Sequence, residues 1–192
     1  MLALSALLLV TTVTVQDSRL ARLDSATRPV VVALMDSARG AGLPVEPLVQ
    51  RALEGVTKGA PGDRIIIAVR RLAGDLGAAK SALGESTSSA ELEAGAAAIR
   101  AGASPAVLAQ LRDVRRPPLT MALAVLADLV ASGVPADSAA AAVLTLAPTA
   151  RDADLVEFRR AVERDISLGA PPAAAAAVRL DASARPARPG RP

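Results

Sequence analysis

The chain has 192 residues, a formal net charge of +3, and neither cysteine nor histidine. Those absences exclude disulfides, thiol redox chemistry, Cys/His zinc sites, histidine-held haem, and Ser-His or Cys-His nucleophile pairs. Tryptophan and tyrosine are also missing and Phe158 is the only aromatic residue, which argues against sugar platforms and base-stacking surfaces.

Residues 1–15 form an uncharged, apolar run from Met1 to Val15. The run falls short of the ~20 residues that a spanning helix needs and matches the apolar region of a secretory signal. An N-terminal anchor is the alternative. Cleavage after Val13-Thr14-Val15 would start the mature chain near Gln16 or Asp17. Only Lys58 and Lys80 supply lysine, and the other basic residues are arginine. With the abundant alanine this suggests a GC-rich bacterial source, an expectation from codon usage.

Residues 16–28 read as a loose polar lead-in, and residues 29–83 as an N-terminal helical set. Arg28-Pro29 opens a helix with Val31, Leu34, Met35 and Ala38 on its inner face. The next helix spaces Val45, Leu48, Val49, Ala52, Leu53 and Val56 by threes and fours, one stripe of a 3.6-residue helix. The third places Ile65, Val69, Leu72, Leu76, Ala79 and Leu83 on one seam. Ile66 and Ile67 widen the apolar side near its start, and a further element is expected to cover that end.

Residues 84–89 are a polar linker of loop composition, and residues 90–180 a C-terminal helical set. Ser88 and Glu91 have capping-box spacing. Ser104-Pro105 starts a short helix carrying Val107, Leu108, Leu111 and Val114, and Arg115-Arg116-Pro117-Pro118 stops it. Leu119 to Ser132 is apolar almost all round, with Asp128 its only charge, so it should be central in the bundle. An alanine-rich helix follows, then one with the seam Leu155, Phe158, Val162 and Ile166, then a last alanine-rich helix to Leu180. Residues 181–192 read as a disordered Arg/Pro tail.

A turn signature recurs as Gly-apolar-Pro-x-acid: Gly42-Leu43-Pro44-Val45-Glu46, Gly59-Ala60-Pro61-Gly62-Asp63 and Gly133-Val134-Pro135-Ala136-Asp137. Glycine takes the left-handed conformation that ends a helix. The apolar residue packs back on the last turn. Proline suits the first turn of the next helix, and the acid sits at the positive end of its dipole. The expected fold is all-α, a multi-helix bundle or short irregular stack of helical hairpins joined by these turns.

Four polar groups invite a chemical reading, and each has a simpler one. Asp152, Asp154 and Glu157 resemble part of a calcium loop but lack its central glycine and further oxygens; capping of the following helix, with Glu157 paired to Arg160 or Arg164, explains them. Asp128 could be a buried acid or base, or an outward residue at an exposed edge. Glu54, Lys58 and Asp63 converge near a turn, where capping and pairing suffice. Arg100, Arg112, Arg115 and Arg116 could gather into an anion-binding surface, although neighbouring acids nearly cancel them. No catalytic residue, cofactor site or metal ligand is assigned.

The expected function is therefore non-enzymatic. The chain reads as an exported bacterial helical protein, periplasmic or secreted, that serves as a protein-interaction or scaffold module. It would present an aliphatic groove between hairpins, involving Leu48 and Leu76, to an unknown envelope partner. The alternative is electrostatic binding of anionic envelope components, lipid headgroups or polymer, through surface arginines and the tail. Nucleic acid is the weakest partner class.

Overall fold

A computed structural model of the chain describes residues 18–184 apart from Ser86. The N-terminal apolar run, Gln16, Asp17 and residues 185–192 lie outside the described residues, while residues 181–184, expected to begin the disordered tail, are the end of the last helix, Pro172–Ala184. The described chain is all-helical: a 3-10 turn at Ser18–Arg22, then α1 (Thr27–Gly40), α2 (Glu46–Thr57), α3 (Gly62–Leu83), α4 (Ser89–Ala101), α5 (Pro105–Val114), α6 (Thr120–Ala131), α7 (Ala136–Leu146), α8 (Asp152–Ser167) and α9 (Pro172–Ala184). None of these helices is long and apolar enough to cross a membrane.

The glycine turns close as the sequence pattern predicts. After α1 the Gly42 N–H donates to the Arg39 carbonyl at 3.0 Å and the Leu43 N–H to Ala38 at 2.9 Å. This pair of bonds is the Schellman arrangement, with glycine left-handed and an apolar residue behind it. It recurs at Gly59-Ala60, Gly102-Ala103, Gly133-Val134 and Gly169-Ala170, all with positive φ at glycine. Val134 and Ala103 are buried by it, at 1% and 4% exposure. The prolines stand earlier than expected, Pro44 by two places, before the Val45 cap of α2, and the other two by one. Pro61 and Pro135 precede the first helical residue with extended ψ of 149° and 137°. Extended ψ lets the chain change direction there, and proline's fixed φ tolerates it. Glu46, Asp63 and Asp137 do occupy first turns.

The lead-in is more ordered than its polarity suggests. Leu20 and Leu23 are buried at 3% each. The Asp24 carboxylate accepts the Ala26 and Thr27 N–H groups at 2.9 and 2.8 Å, so α1 begins before Pro29. Arg28 donates back to the carbonyls of Ala21 and Leu23, and Arg19 pairs with Glu46 of α2 at 2.7 Å. Two leucines in a single turn are too few to make a periodicity, which hides the element from pattern analysis.

One continuous apolar core runs through both helical sets. α3 packs on α1, α2, α4 and α5, while α6 packs on α4, α7 and α8. The apolar α6 is central, with Ala122, Leu123, Leu126 and Leu129 fully buried. Small residues bring the backbones together: a Cβ added at Gly95 of α4 would meet Ala79, Leu83 and Leu108 at 3.1–3.2 Å.

The linker between the sets is held by Glu91, which is 6% exposed. Its carboxylate accepts the Ser88 N–H at 3.0 Å and the Ser88 hydroxyl at 2.8 Å, and Ser88 Oγ accepts the Glu91 N–H at 3.3 Å. The capping box therefore forms. Its carboxylate also takes the Leu119 N–H at 2.7 Å, fastening the start of α4 to the chain entering α6. Burial pushes the Glu91 carboxyl up, but the Leu119 and Ser88 hydrogen bonds outweigh it and hold it below the ordinary glutamate value.

Candidate functional site

The groups singled out in the sequence separate on folding. Asp128 sits at the edge of α6 with its side chain 42% exposed and paired to Arg159 of α8, where it ties two helices together. Asp152 pairs with Arg115 at 2.6 Å. Asp154 accepts the Arg151 N–H at 2.9 Å and its guanidinium at 2.9 and 3.0 Å; the side-chain bond from Arg151, then the backbone bond, lower its carboxyl to about 2. Asp154 thus caps the start of α8 as expected, whereas Asp152, expected to cap it too, is instead the partner of Arg115. Glu157 has no cation within ion-pair distance among the described residues, so the pairing expected with Arg160 or Arg164 does not form.

The four C-terminal arginines do not gather. Arg112 donates to the Ala82 carbonyl in the last turn of α3 at 2.8 Å. Arg115, whose side chain is 13% exposed, donates to the Ala147 and Ala150 carbonyls just beyond α7 at 2.9 and 2.7 Å. Each neutralises carbonyls left open at a helix C-terminus. Arg116 is exposed on the loop after α5. Arg100, on α4, turns the other way, toward α2 and α3. Arg185, Arg188 and Arg191 of the tail lie outside the described residues.

Around Arg100 the structure forms a groove across α2, α3 and α4 that the sequence pattern missed. Three adjoining cavities of about 380, 300 and 220 Å³ all have Arg51 in their walls. The middle cavity has an aliphatic floor of Ile67, Ala68 and Leu72, with Arg64, Arg71 and Arg100 at its rim. Ile67 was expected under a covering element; Ile66 is half-buried against the core, but Ile67 is 60% exposed. It lies off the Ile65-Val69-Leu72-Leu76 seam, so burying that seam turns it outward.

The charges of the groove are unevenly matched. Glu54 bonds Lys58 at 2.6 Å and Arg51 at 3.0 Å. The Lys58 hydrogen bond first, then the charge of Arg51, hold its carboxyl below the ordinary value, with Arg100 contributing. Asp63 does not join Glu54 and Lys58; it stays exposed in the first turn of α3. Among the described residues, Arg64, Arg71 and Arg100 have no carboxylate within ion-pair distance. Asp75, in the wall of the same cavity, has one buried carboxylate oxygen, Oδ2, without a hydrogen-bond partner. Leu48 and Leu76 are both fully buried. Leu48 belongs to the core beneath the groove, whereas Leu76 contributes to the wall of the 380 Å³ cavity.

Among the described residues no three carboxylates come together as a metal-holding group. Comparison of the chain with protein-family models, curated proteins and solved structures finds no match.

Proposed function

We propose that the protein is a non-enzymatic interaction module that takes a segment of a partner protein into the α2–α3–α4 groove, and that it does so outside the cytoplasm of a bacterial cell. The observation carrying the first part is Ile67, 60% exposed beside arginines that have no carboxylate within ion-pair distance among the described residues. An exposed aliphatic floor ringed by cations matches a segment combining an aliphatic anchor with negative charge. Export rests on the apolar run of residues 1–15.

Calorimetric titration with partner-derived or model peptides tests the groove. Ile67→Asp should abolish binding while leaving the helical circular dichroism unchanged, because the side chain is outside the core. Unchanged binding by that variant would reject the groove. An intact mass of envelope-fraction protein starting near Gln16 supports export; one retaining Met1 there rejects cleavage.

Arg64, Arg71 and Arg100, which have no ion-pair partner among the described residues, favour a second reading, attachment to anionic lipid or polymer. Binding to phosphatidylglycerol vesicles that collapses with salt and is indifferent to Ile67→Asp would favour it.

A further inference from the structure

The last helix is held to the body differently from the others. Among the described residues, α9 is the only helix that buries no side chain larger than alanine. Ala175 and Ala176 are buried, Leu180 is half-buried against the core, and Val178 is 62% exposed. Arg179 fastens it to Asp165 of α8 through two bonds of 2.6 Å. Apolar hold scales with the area removed from water, so buried alanine gives the least. Alanine also has the highest helix propensity, so the segment keeps its bias toward helix when it leaves the body.

The connection to α8 is short and can open without unwinding that helix. The Gly169 N–H donates to the Ile166 carbonyl and the Ala170 N–H to the Asp165 carbonyl, both at 2.9 Å. These bonds end α8 and involve nothing beyond Ala170. Ala170 and Pro171 each precede a proline, which biases both toward extended backbone. Beside this hinge Leu168 is 79% exposed, the most exposed large apolar side chain among the described residues.

From these features we infer that α9 is exchanged between two copies of the chain. Each α9 leaves its own α8, crosses at residues 168–171 and takes the same seat against α7 and α8 of the other copy. The seat itself fixes the occupant. The α9 of a second copy repeats the contacts of the closed form, Arg179 to Asp165 included, so nothing is lost within the seat. The dimer adds the crossing, where the two hinges cover both Leu168 side chains. Short connections favour such an exchange. The groove is built from α2, α3 and α4, so each copy keeps its own and the dimer presents two.

The test uses the full chain, refolded from urea at low and high concentration, with its mass read by light scattering. A dimer favoured at high concentration is expected. Asp165→Arg and Arg179→Asp are then prepared as two separate chains. Each alone sets like charges against each other in every seat, its own or a copy's. Mixed and refolded together, they restore an opposite pair in both seats only when α9 crosses from one chain to the other. The mixture should therefore form a dimer of the two variants that neither forms alone. Leu168→Ser, at an exposed position, should weaken the native dimer about tenfold, the worth of a lost leucine contact, without shifting the unfolding midpoint of the monomer. A native chain that is monomeric at every concentration overturns the inference. A native dimer with no gain on mixing the charge variants also overturns it, in favour of a side-by-side contact. So does a dimer undiminished by Leu168→Ser.

Discussion

At the C-terminal end of the molecule Arg115 reaches two carbonyls beyond α7 and the carboxylate of Asp152. In the α2–α3–α4 groove Arg64, Arg71 and Arg100 reach no carboxylate of the described chain. The same residue type closes a helix end in one region and leaves charge open in the other. Abundant arginine therefore does not by itself mark a binding surface. What distinguishes the groove is that its cations surround an exposed isoleucine and a carboxylate oxygen without a donor. Glu91 shows the opposite condition for an acid: buried, but given an amide or hydroxyl at each oxygen.

Substitutions should separate the two regions, and the largest effect belongs to Arg115. Arg115→Ala leaves the Ala147 and Ala150 carbonyls and Asp152 without their donor. A loss of about 2–4 kcal/mol is expected, read from thermal or urea unfolding by circular dichroism. A loss below about 1 kcal/mol would mean that water replaces the guanidinium and that the two regions differ less than their geometry indicates.

Glu91→Gln comes next, at about 1–2 kcal/mol near neutral pH, because charge-assisted bonds become neutral ones and one acceptor becomes a donor. The pH dependence has a definite sign. The Glu91 carboxyl is lowered from 4.5 in the folded chain. Its contribution is therefore present above the unfolded value and is lost as pH falls through the folded one. Stability curves of the native chain and the variant should converge on acidification below about 4.5, the ordinary value. A gap that stays constant to low pH would show that packing, not the carboxylate, carries the effect.

In the groove the expected stability effects are small. Arg71→Gln and Arg100→Gln should change stability by no more than about 0.5 kcal/mol, as for exposed side chains without partners, while weakening peptide binding. A large stability loss in either would place that arginine with Arg115 as a structural contact. The smallest effect is that of Glu54→Gln: no measurable shift of the unfolding midpoint, with peptide binding tightened. Weakened binding there would mean that Glu54 positions Arg51 for the ligand instead of competing with it.

Much of the fold was legible because its signals are local. The glycine turns follow from one residue's tolerance of positive φ and an apolar neighbour, all within one stretch of chain. The Ser88–Glu91 capping box is a three-residue spacing. The central place of α6 follows from a helix with almost no polar face. The 3-10 turn of the lead-in escaped because Leu20 and Leu23 alone establish no period, and the prolines fell one or two places earlier because caps depend on ψ as well as composition.

The groove belongs to a different level. Local spacing determined that Ile67 lies off the seam of α3, but whether another helix covers it depends on how α2 and α4 cross that helix. Local composition likewise placed Arg100, Arg112 and Arg115 near one another in the chain. Tertiary packing sent Arg112 and Arg115 to carbonyls 30 to 35 residues away and left Arg100 over the groove. Helix formation, termination and the choice of inward face are set by contacts within a few residues, so the sequence determined them. The partner of a long, flexible cation is set by which helix end comes within reach once the core has closed, and that only the tertiary structure decided.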